Sequence, residues 1–84
     1  MTTYNGYKTR DHWNTALWLN NDQGFNDILI NAVEQAVYGD IRKSQAVVDI
    51  IQRLPDLTPD GARWMFETIQ ELVEENYNEQ LQYS

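Results

Sequence analysis

Glu67, Glu71, Glu74, Glu75 and Glu79 are the densest group of like chemistry in this 84-residue chain. On a helix at 100° per residue they fall within about 140° of arc, so one surface carries them all. No Lys or Arg follows Arg63, and the last 21 residues hold −5 of the net charge of −7. Like charges four residues apart oppose a helix by about 0.2–0.5 kcal/mol per pair. Nothing nearby in the sequence offsets that cost. One reading is a solvated face that keeps the chain dispersed. The other is a surface complementary to a basic partner. A helical turn rises about 5.4 Å, so the row matches in scale the charge spacing of a phosphate backbone. A mimic that occupies a nucleic-acid-binding protein is therefore physically sensible.

Carboxylates can also hold metal. Glu71 and Glu74 make an ExxE pair, which a helix places on one side. Bundle enzymes that bind iron or magnesium take further carboxylates from other helices, often with ExxH or ExxD spacing. Glu34, Asp27 and Asp49 are what the preceding helices offer, without such spacing. No metal site and no cofactor are expected. His12, the only histidine, would be a proton carrier only beside a carboxylate such as Asp11 or Asp22. In the first turn of a helix it reads as a surface or capping residue. Gly6, Gly24, Gly39 and Gly61 are isolated, and no nucleophile elbow, HExxH or phosphate loop occurs. The chain is not expected to be an enzyme.

Aromatics form the second chemical feature. Trp13, Trp18 and Trp64 join five Tyr and two Phe. Trp13 and Trp64 read as core. Trp18 lies about 140° from Trp13 on a helix, off the main stripe. It is free to cap a groove, cover the N-terminal segment, or enter an interface, where Trp is enriched.

Four helical elements would position these groups. Helix 1 starts after Thr9, an N-cap with Asp11 in the first turn, and stops in Asn20-Asn21-Asp22. Helix 2 carries Phe25, Ile28, Leu29, Ala32, Val33, Ala36 and Val37 at unbroken helical spacing, capped by Asp22 or Asn21 and ended by Gly39. Helix 3 is expected to start near Asp40, to bury Val47, Ile50, Ile51 and Leu54, and to end at Pro55. Helix 4 reads as starting at Thr58, with Pro59 at its first position and Asp60 following. Its inner face would be Ala62, Met65, Phe66, Ile69, Leu72, Val73 and Tyr77, fading near Asn76–Glu79. Asn5-Gly6 marks a turn ahead of helix 1. Short connections favour antiparallel neighbours. The expected fold is all-α, a compact three- to four-helix single domain spanning residues 1–84, with an irregular N-terminal segment. Val33, Ala36, Val47, Ile51, Phe66, Ile69, Leu72 and Trp13 are its expected core.

Composition bounds the partners. With 42% hydrophobic residues the chain can build a core. It has no cysteine, so no disulfide reinforces that core. The net charge of −7 disfavours direct nucleic-acid binding and anionic membranes. No run approaches the roughly 18 apolar residues of a membrane span. The first residues lack a basic region followed by an apolar stretch, so no signal peptide is expected. A cytoplasmic location follows as the default.

The segment Tyr4-Asn5-Gly6-Tyr7-Lys8-Thr9-Arg10-Asp11-His12-Trp13-Asn14-Thr15-Ala16-Leu17-Trp18-Leu19-Asn20-Asn21-Asp22 resembles a pattern of short phage and prokaryotic proteins that form a domain of unknown function. In that pattern an NG-aromatic start leads to a Thr-Trp-Asn-like helix opening, then ALW, then ND. Here Asp11-His12-Trp13 stands where a Glu-Thr-Trp-like triplet belongs, which moves the N-cap. The resemblance covers under a quarter of the chain. It implies a mobile-element or phage origin, with the host-cell cytoplasm as the location if phage-encoded, and it carries over no known active site. Small acidic phage proteins often look like inhibitors directed at the host, anti-CRISPR and antirestriction proteins among them, so the resemblance favours the mimic reading.

Three functions fit. In the first, a phage-type interaction protein inhibits a host nucleic-acid-binding protein through Glu67, Glu71, Glu74, Glu75 and Glu79, with Trp18 as an aromatic contact. In the second, an oligomeric protein sequesters a nucleotide signal, stacking it on Trp18, Tyr4 and Tyr7 with Lys8, Arg10 or Arg63 toward phosphate. The third is a structural or assembly role through homo-oligomers.

Overall fold

The computed structural model describes residues 6–39 and 41–83. Four helices form among them: α1 (Arg10–Asn21), α2 (Gln23–Val37), α3 (Lys43–Arg53) and α4 (Phe66–Tyr83). The described residues contain no β-strand, and none of their helices is long and apolar enough to cross a membrane.

The start of α1 follows from Thr9. Its backbone is extended, and its hydroxyl accepts the His12 N–H at 3.3 Å, satisfying one of the donors a helix start leaves open. Asp22 is the single residue between α1 and α2. Its N–H closes α1 on the Trp18 carbonyl at 3.0 Å, and its carboxylate opens α2 by accepting the Phe25 N–H at 3.0 Å. Gly39 ends α2 at φ +87°, a left-handed conformation that favours glycine. Gly6, the described half of the Asn5-Gly6 turn, also has a positive φ, of +91°.

α3 begins at Lys43, later than the expected start near Asp40, which lies outside the described residues. Arg42 precedes it in extended conformation and supplies no side-chain cap. No N-cap residue marks this start, so periodicity alone placed it poorly. Leu54, before Pro55, turns extended and ends α3 as expected.

The largest correction concerns α4. Thr58-Pro59-Asp60 does not open a helix; α4 begins at Phe66. Thr58 still caps, but it caps a turn. Its hydroxyl accepts the Ala62 N–H at 3.0 Å, and its carbonyl accepts the Gly61 N–H at 2.8 Å. Gly61 sits at φ +82°. Pro-Asp-Gly is turn chemistry, and it wins over the proline-first helix reading. At its other end α4 does not fade near Asn76–Glu79 but runs to Tyr83. The Asn76 amide donates to the Leu72 carbonyl at 2.7 Å, and Lys43 lies 4.8 Å from the Tyr77 ring centre.

α2 packs against each of the other three helices. Leu19, Leu29, Val33, Val47, Ile50, Ile69 and Val73 are buried between them. Full burial of a Leu or Ile contributes about 1.5–3 kcal/mol. Three expected core residues are not core: Ile51 is 39% and Phe66 51% exposed, and Trp13 lies outside the buried cluster. The buried side of α3 is Ala46, Val47 and Ile50, which leaves Ile51 at the edge of its stripe. Phe66 is in phase with Ile69 and Val73 but is the first residue of α4, where cover is incomplete. Trp13 is half-buried. Trp64 packs on the core, its ring edge-on to Phe25 at 5.1 Å.

Candidate functional site

α1 presents polar side chains to the segment that precedes α4. Asn14 and Thr15 are buried to 0% exposure, so each polar atom needs a partner. The Asn14 amide donates to the Asp60 carboxylate at 2.8 Å and accepts the Thr58 hydroxyl at 2.6 Å. The Trp18 indole N–H donates to the same Asp60 oxygen at 3.0 Å. Arg10 reaches the Asp60 carbonyl at 3.4 Å. The Thr15 hydroxyl lies 2.9 Å from the Asp11 carbonyl and 3.2 Å from that of Arg63, and it accepts the Met65 N–H at 2.9 Å. Hydrogen bonds from Asn14 and then Trp18 hold the Asp60 carboxyl below its ordinary value. Desolvation opposes them, and the Arg10 charge adds to them.

Trp18 is thus the lid of an internal joint. Its indole N–H is engaged by Asp60, and its ring meets Phe25 edge-on at 6.4 Å. With Leu17, Asn21 and Asp22 it lines an open surface depression. Tyr7 borders other depressions, beside Lys8 and His12 and beside Trp13 and Asn20. Tyr4, its expected companion around a base, lies outside the described residues.

The five glutamates do share the outer side of α4, and all are exposed. They are not electrostatically alike. Glu67 lies 3.5 Å from Lys8 and 3.7 Å from His12. Glu74 pairs with Lys43 at 2.9 Å. The offset that the local sequence lacked therefore comes from distant residues. Glu71, Glu75 and Glu79 have no such partner among the described residues.

The carboxylate within reach of the His12 ring is that of Glu67, at 3.7 Å, rather than that of Asp11 or Asp22. Its Nδ1 is 2.7 Å from the Thr9 hydroxyl, and its buried Nε2 lacks a hydrogen bond. Among the described residues no group of three or more His, Cys, Asp or Glu is placed to hold a metal ion.

The match to a family model spans residues 1–83, and that model describes a family of unknown function, DUF7249. The chain belongs to this family. No curated protein and no solved structure matches it. The match to DUF7249 reaches far beyond the N-terminal segment that first suggested a domain of unknown function.

Sequence reasoning missed the joint of Asn14, Thr15, Thr58 and Asp60. Two signals were available. Asn14 and Thr15 interrupt the inner stripe of α1 between Trp13 and Ala16, and a polar residue at a core position is informative. Pro59-Asp60-Gly61 is a turn, and a turn over a buried face needs partners for its backbone.

Proposed function

We propose that this chain is a binding domain that docks the basic surface of another protein on the solvent face of α4. The observation that carries this is the unpaired state of Glu71, Glu75 and Glu79 among the described residues, in a row whose other two members, Glu67 and Glu74, are paired. Each i, i+4 repulsion along that row costs about 0.2–0.5 kcal/mol, and a cationic partner removes it on binding. The fitting partner is a nucleic-acid-binding protein whose basic groove matches charges about one helical turn apart. Filling that groove would exclude its nucleic acid, so the domain acts as an inhibitor by competition, in the manner of anti-CRISPR and antirestriction proteins. Steering by these charges weakens as salt rises.

The test is a pull-down from cell lysate with mass spectrometry, comparing the protein with its Glu71→Lys/Glu75→Lys variant at low and high salt. Basic, nucleic-acid-binding proteins should be captured by the unaltered domain, lost with the variant and lost at high salt, with helical circular dichroism unchanged. Equal capture by the variant at low salt overturns the proposal.

A further inference from the structure

The outer boundary between α3 and α4 is a groove of about 180 Å³. Ser44 and Val47 line it from α3, and Phe66, Gln70 and Val73 from α4. The Lys43–Glu74 pair stands at one end. Eight residues along each helix from that pair, about 12 Å at 1.5 Å per residue, lie Ile51 and Phe66. Both are large, apolar and exposed, as is Val48 at 40%. An apolar strip therefore leads out of the groove onto the surface.

This strip adjoins the acidic row. Around α4, Glu74 falls about 80° from Phe66 and about 60° from Glu71. Glu74 thus stands between the apolar edge of the helix and the rest of its acidic row. We infer that the groove is the anchor site of the same interface, and that it takes an amphipathic helix of a partner protein whose apolar stripe is flanked by Lys or Arg. The inference rests on the acidic reading of α4.

Charge complementarity selects this occupant. A second copy brings another −7 and is repelled as a whole. The groove volume is below the roughly 300–1,000 Å³ of small-molecule sites and suits one inserted side chain. Helix-in-groove recognition works in this way, with one or two apolar anchors giving most of the affinity.

The probe is a synthetic leucine–lysine peptide with leucines at helical spacing, set against an isomer of equal composition with the stripe scrambled. Both are titrated into the isotopically labelled protein and followed by amide chemical shifts. The striped peptide should shift Val47, Gln70 and Val73 and bind about tenfold tighter than its isomer. Phe66→Ser should remove that advantage. Ser44→Trp, which fills the groove while leaving Phe66 in place, should remove it as well. Glu71→Lys/Glu75→Lys should weaken both peptides. If both peptides bind equally, indifferent to Phe66→Ser and Ser44→Trp but weakened by charge reversal, the groove inference falls and the acidic reading stands. If neither peptide binds, or if binding ignores charge reversal, both fall. Sedimentation of the protein alone as a dimer, with Val47 and Val73 shifting on dilution, also overturns the inference.

Discussion

The two long sides of this small bundle treat polar and apolar groups in opposite ways. Where α1 meets residues 58–65, polar side chains are buried and joined in one chain of hydrogen bonds: Ala62 N–H to Thr58, Thr58 to Asn14, Asn14 to Asp60, with Trp18 closing on the same carboxylate. Where α3 meets α4, apolar Ile51 and Phe66 stand exposed, and the acidic row of α4 begins beyond the paired Glu74. The first side completes itself. The second is complete only with something added. Satisfied polar networks specify a unique arrangement, whereas exposed apolar edges mark surfaces open to partners.

Mutations should separate the two sides, costing more at the polar joint than at the α3–α4 face. Asn14→Ala removes two hydrogen bonds of a buried side chain, strands the Thr58 hydroxyl and opens a void, so it should cost about 3 kcal/mol, seen as a lower urea midpoint. Thr15→Val keeps the shape but leaves the Met65 N–H without its acceptor, and should cost about 1–2 kcal/mol in the same assay. Phe66→Ser on the other side should cost less than about 1 kcal/mol, since the ring is already half exposed. A loss as large as that of Asn14→Ala would mean that Phe66 is core, and the contrast would collapse. Glu75→Lys should lie within about 0.5 kcal/mol of the unaltered protein, on the stabilising side, because it replaces repulsion from Glu71 and Glu79 with attraction.

Acid sharpens the contrast further. The folded Asp60 carboxyl titrates below its ordinary value of 3.8. A depressed carboxyl adds stability above the unfolded pKa and loses it as pH falls through the folded one. Stability followed by Trp fluorescence should therefore fall in that acidic window. In Asp60→Asn the fall should be shallower, while Glu75→Lys should leave the Asp60 contribution to it intact. Equal slopes for the unaltered protein and Asp60→Asn would show that Asp60 gives the joint no electrostatic support.

Most of the fold was legible because its signals are local. Thr9 and Asp22 cap as their side chains dictate, Gly39 and Pro55 stop helices, and the stripe of α2 names its own buried residues. What escaped was set by distance in sequence. Thr58-Pro59-Asp60 fits a helix start as well as a turn when read alone. The choice is made by Asn14, 44 residues away from Thr58. The acidic row was legible as a row. Its division into paired and unpaired members was not, because Lys8 and Lys43 arrive from other parts of the chain.

Asp22 carries a consequence for how the chain tolerates changes of length. One residue ends α1 and begins α2, with no slack between them. Adding a single glycine after it would either rotate α2 by about 100° against α1 or melt a turn of one of them. Rotation would swing Leu29, Val33 and Ala36 out of the interior. The connector between α3 and α4 runs from residue 54 to 65, and its exposed stretch at Asp56 and Leu57 precedes the tethered turn. A glycine added there should be absorbed with little loss. Insertions and deletions should therefore be barred at the first joint and admitted at the last, which makes residues 56–57 the place to attach a tag or a fluorophore.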